Sequence, residues 1–173
     1  MLSRLLGALG LSASLAAAHA APPAADPLGA LRPLYERLYL LPADAPVAAG
    51  GLRGLVVEVD IDGGIDVLAV YPDGRLRYLN HSGRPVVVDA PIPALAEPMR
   101  LLWRSAGTAA GRAQRWARDG SLPARDGVRI AFIGSDGLRM AQGSFATLQR
   151  DPQFGPVLLG ASEVLARLTQ ALR

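Results

Sequence analysis

The sequence predicts an α+β domain: a single antiparallel sheet of five to six strands, built from two hairpin-plus-helix halves with the helices packed on the sheet. Three observations carry this expectation. Apolar and polar residues alternate through two stretches that each contain an Asp-Gly turn, at Asp73-Gly74 and Asp136-Gly137, and tight turns join strands that run antiparallel. Each stretch is followed by a segment with apolar residues at helical spacing. Half of the 173 residues are hydrophobic and 19% are charged, a globular composition with enough chain for one sizeable core.

The first twenty residues, MLSRLLGALGLSASLAAAHA, combine one early arginine, an apolar run from Leu5 to Ala18 and a small-x-small ending at Ala18-His19-Ala20. That is the layout of a secretory signal peptide cleaved after Ala20. The run is short and rich in Ala, Gly and Ser, which argues against a membrane span. Residues 21–27 are then a loose amino-terminus, and 28–173 form one domain with halves at 52–118 and 127–173. The expected location is periplasmic or secreted.

Within the domain, Leu31, Leu34, Tyr35, Leu38 and Leu41 fall on one helical stripe, with Pro33 in the first turn where its missing N–H costs little. A Pro/Gly/Ala connector at 42–51 leads into three strands over 52–80, turned at Gly63-Gly64 and Asp73-Gly74. In the first strand Leu55, Val57, Val59 and Ile61 alternate with Val56, Glu58, Asp60 and Asp62, which predicts one apolar face and one acidic, solvated face. Residues 84–91 supply a short fourth strand. A helical region over 94–120 buries Leu95, Met99, Leu102, Trp103, Ala106 and Ala110, with Pro98 at its start or at a kink and Gly107 and Gly111 weakening its second half. The second hairpin spans 128–143, an irregular stretch follows, and a last helix over 157–172 presents Leu158, Ala161, Leu165, Leu168 and Leu172.

In element order alone this pattern is similar to profilin-like and roadblock-type α+β domains. The resemblance carries no shared motif and implies no function.

Scarcity bounds the chemistry. There is no cysteine, so disulfides, thiolate nucleophiles, Cys-type zinc sites and a lipid-modified cysteine are excluded. Of two histidines, His19 leaves with the signal peptide, and His81 is the one imidazole of the mature chain. Its neighbour Ser82 would point to the opposite face of a strand, and no serine sits in a Gly-x-Ser-x-Gly elbow. All 18 basic residues are arginine, scattered without a run, and the formal charge is only +3. Nucleic acid is not an expected partner.

The segment EVDIDGGID echoes a calcium loop at Glu58, Asp60, Asp62 and Asp66, but position twelve, where a bidentate acid belongs, is Ala69. Asp60 and Asp62 are spaced roughly 6.5–7 Å along one strand face, a separation compatible with either glycosidase mechanism. On or after the long helix, Trp103, Arg104, Arg115, Trp116 and Arg118 are candidate interface anchors, the last three with Arg104 sharing an exposed side. His81 joins them as an exposed imidazole.

These residues lead to the expectation of a non-catalytic binding module of a bacterial envelope, without cofactor or membrane span, taking a protein partner or small ligand. Two alternatives stand beside it. One is a small hydrolase using Asp60, Asp62 or Asp66, with or without His81. The other is a structural subunit of an envelope assembly.

Overall fold

The computed structural model describes Asp26 and residues 28–61, 64–81 and 84–172. The signal peptide, Asp62 and Ser82 lie outside the described residues. Seven strands form one open antiparallel sheet: β1 (Leu52–Ile61), β2 (Gly64–Val70), β3 (Leu76–Leu79), β4 (Pro85–Val88), β5 (Gln114–Arg115), β6 (Gly127–Gly134) and β7 (Gly137–Ser144). Their spatial order is β4-β3-β2-β1-β6-β7-β5. The four helices are α1 (Arg32–Arg37), α2 (Ala96–Ala110), α3 (Phe145–Arg150) and α4 (Gly155–Ala171).

The turns explain the meander. At the β2–β3 turn Gly74 has φ 85 and donates its N–H to Tyr71 O at 3.0 Å, a conformation a side chain would disfavour. β1 and β2 close through Ile61 opposite Gly64. The two hairpin-plus-helix halves meet in mid-sheet, where β1 pairs with β6 from Val59 opposite Val128 to Leu52 opposite Gly134.

Two differences from the expected elements follow from the end of α2. The helix stops at Ala110, with Gly111 at its cap and Arg112 N–H turning back to Ala109 O at 2.9 Å. The chain beyond it does not continue helically. It lies along β7 as the two-residue β5, the strand that takes the sheet past six. The stretch expected to be irregular holds α3, capped by the Ser144 side chain accepting from Thr147 N–H at 3.2 Å.

Both faces of the sheet are covered. On one face Leu55, Val57, Leu68, Val70, Ile130 and Phe132 pack against Leu102 and Ala106 of α2 and Leu158, Ala161 and Leu168 of α4. On the other, Val56, Val67, Ala69 and Ala131 pack under Leu31, Tyr35, Leu38 and Tyr39 of the amino-terminal segment. The central strands therefore carry apolar residues on both sides, as strands covered on both faces do. The expected solvated acidic face is corrected here: Glu58 is fully buried, because the amino-terminal segment lies over it.

Candidate functional site

A surface groove of about 630 Å³ runs between α2 and the turn that precedes β1. Gly50, with φ 71, lets that turn touch the helix; a Cβ there would sit 2.8 Å from Gly107 Cα. The close approach fixes one end of the groove. Trp103, nearly buried, helps line it, with Val47 and Pro72, and Arg100, Arg104 and Thr108 also border it. Arg100 is tied to Glu97, Nε to Oε2 at 2.7 Å. Arg104 is exposed and makes no side-chain hydrogen bond or ion pair among the described residues. No carboxylate is among the described lining residues.

The remaining anchors do not share this face. Arg115 lies in β5 on the edge, exposed, 3.5 Å from Asp136. Trp116 and Arg118 follow it to the opposite side of the sheet. There the Trp116 ring meets Tyr39 edge-on at 5.9 Å, and the Arg118 guanidinium stands 4.3 Å over Tyr39 and 5.0 Å over Tyr35. Arg118 Nη1 also reaches Glu36 Oε2 at 2.5 Å. The expected common exposed side of Arg104, Arg115, Trp116 and Arg118 is therefore split in three, because α2 ends before any of the last three residues.

Beneath Trp116 lies a buried polar cluster that sequence periodicity did not reveal. Tyr35 O–H donates to Glu58 Oε1 at 2.8 Å, and Tyr39 O–H donates to the same oxygen. Arg129 Nη1 donates to Glu58 Oε2 at 3.2 Å and to Ser121 O at 2.7 Å, while its Nε reaches Gln142 Oε1 at 3.1 Å. Its guanidinium stacks 4.8 Å from the Trp116 ring. Burial raises the Glu58 carboxyl above its ordinary value despite these donors, and burial with the nearby carboxylate pushes Tyr35 up to about 12. Both oxygens are engaged, so the cluster clamps the amino-terminal segment to the sheet. Its one local signal is the pair Tyr35 and Tyr39, four residues apart.

His81 does find a partner. Asp66 Oδ1 lies 2.6 Å from His81 Nδ1 and accepts the His81 backbone N–H at 2.8 Å. Tyr78 O–H donates to Asp66 Oδ2 at 2.6 Å. Burial, followed by the Asp66 carboxylate, pushes the Tyr78 hydroxyl up to about 12, so it remains a donor. His81 is about half exposed, and among the described residues no serine or threonine hydroxyl bonds to its ring.

Glu58, Asp60 and Asp66, the described acids of EVDIDGGID, do not converge. Asp60 pairs across the strands with Ile65 and Asp66 with Val59, so their side chains leave opposite faces of the sheet. Asp60 Oδ1 instead accepts from Asp126 N–H at 3.1 Å, and Glu58 is in the core. Of the calcium alternative, Glu58 is therefore corrected to a core residue and Asp60 and Asp66 to opposite faces, while Asp62 lies outside the described residues. Among the described residues no three His, Cys, Asp or Glu side chains gather as metal ligands, and no helix is long and apolar enough to cross a membrane.

No protein-family model matches the chain, and neither does any curated protein.

Proposed function

We propose that the protein is an exported binding module of the bacterial envelope that works by contact, its α2 groove taking an acidic segment of a protein partner. One observation carries this reading: Arg104, whose side chain makes no hydrogen bond or ion pair among the described residues and only a longer-range electrostatic contact with Glu97, stands beside Trp103 along a large groove with no carboxylate among its described lining residues. Tryptophan and arginine are the side chains that most often dominate interface energetics. A partner carboxylate on Arg104 would form a charge-assisted, two-pronged contact. The test is site-specific photo-crosslinking from Thr108 in the native envelope, followed by affinity measurement with the captured partner. Arg104→Glu should weaken binding at least tenfold, whereas Arg115→Glu at the sheet edge should leave it within twofold. Undiminished binding by Arg104→Glu would refute the reading.

A second reading rests on the Asp66–His81 pair, which orients the imidazole through Nδ1 and leaves Nε2 unbonded among the described residues, as a general base requires. A small hydrolase of this kind would lose turnover in His81→Ala at unchanged stability. A panel of ester, peptide and glycoside substrates gives the answer.

A further inference from the structure

Across the sheet from Trp103, a second cavity of about 360 Å³ opens between the amino-terminal segment and strands β3 and β4. Its size falls in the ~300–1,000 Å³ range of small-ligand pockets. The lining is aliphatic: buried Leu38 and Leu79, with Leu34, Leu40 and Val87 more exposed. Leu40 is 73% and Val87 51% exposed, apolar surface that a ligand would remove from water. Tyr71 holds one wall in place by donating its O–H to Leu38 O at 2.9 Å.

The polar side chains that line this cavity, apart from the Tyr71 hydroxyl, are three guanidiniums, with no carboxylate among the described lining residues. Two are already engaged. Arg75 bonds Asp73 at 2.6 Å and lies 5.6 Å over the Tyr71 ring; Arg77 bonds Val88 O at 2.7 Å and also Asp89. The Arg37 side chain makes no hydrogen bond or ion pair among the described residues. One unengaged cation therefore borders an aliphatic trough.

We propose that this groove binds a single-chain aliphatic carboxylate, its head on Arg37 and its chain along Leu34, Leu40, Val87 and Leu79. The forked guanidinium matches a carboxylate with two parallel hydrogen bonds. An alkyl chain suits walls of leucine and valine, whereas a peptide laid there would bury amide groups against side chains that cannot bond them. The site is independent of the α2 groove, since the sheet separates the two.

The experiment is calorimetric titration of the purified protein with octanoate, decanoate and dodecanoate below their micelle concentrations, with dodecyltrimethylammonium as the cationic counterpart. Affinity should rise about fourfold per methylene while the chain still finds wall to cover. Arg37→Glu should weaken dodecanoate about tenfold or more, and Leu40→Asp should flatten the chain-length series. Both residues are exposed, and thermal melting checks that the variants fold. Arg104→Glu should leave dodecanoate binding unchanged, which separates this site from the partner groove. Equal binding of the cationic amphiphile, an affinity indifferent to chain length, or dodecanoate binding untouched by Arg37→Glu would each overturn the assignment.

Discussion

Replacing Arg129 with methionine strips the cation from a carboxylate that has no water to turn to. Glu58 is 0% and Arg129 2% exposed, and removing one partner of so buried a pair costs about 3–5 kcal/mol. Part of that loss is independent of pH: the stack on Trp116 and the bonds to Ser121 and Gln142 disappear with the side chain. The rest depends on the charge of Glu58. Its folded-state pKa is raised above the ordinary 4.5, burial being the largest cause, so the native state holds the proton more tightly than the unfolded chain. Stability from this group is complete below the unfolded value and falls as pH climbs through the folded one. Without Arg129 the folded value moves higher still, and the falling range extends upward at as much as about 1.4 kcal/mol per pH unit. Between pH 7 and pH 5 the penalty of Arg129→Met should therefore shrink by up to about 2.7 kcal/mol. Urea unfolding of wild type and variant at both pH values measures it, and Glu58→Gln added to Arg129→Met should recover much of the loss at pH 7. A penalty under about 1 kcal/mol at pH 7, or one equal at the two pH values, refutes the account of the clamp.

Three further outcomes follow from the geometry. Gly50→Ala forces a side chain into φ 71 and to within 2.8 Å of the Gly107 backbone; it should cost about 1–3 kcal/mol in thermal or urea unfolding. His81→Ala removes a half-exposed hydrogen-bond partner of Asp66 and should change stability by less than about 1 kcal/mol, so a larger loss would show the Asp66 tie to be structural. Millimolar calcium should leave the melting temperature where it is, since Glu58 is in the core and Asp60 and Asp66 point to opposite sides of the sheet; a reproducible rise contradicts that placement.

Features set by neighbouring residues were legible in the sequence. The Asp73-Gly74 and Asp136-Gly137 turns and the buried stripe from Leu95 to Ala110 reflect local backbone preference and period, and each stands in the structure. The final helix starts at Gly155, two residues before the apolar spacing predicts. The sequence expectation of a helix tail over 111–120 fails because apolar spacing continues past Gly111, while the edge of β7 offers Gln114 and Arg115 backbone partners that only the folded sheet provides. Trp103 and Arg104 proved to border one groove, as helical spacing allows. Trp116 and Arg118 did not join them, since a chain leaving a helix no longer follows its period.

The amino-acid order by itself determined the class of fold, the Asp-Gly turns, and the absence of cysteine that excludes thiolate nucleophiles and disulfides. Only the tertiary structure decided which side of β1 meets water, because burial of Glu58 depends on Tyr35, Tyr39 and Arg129 arriving from segments 19 to 71 residues away. It likewise decided that Asp66 and His81 meet while Asp60 is left on the far face. A strand fixes the alternation of its own side chains, but what covers each face is a property of the whole chain.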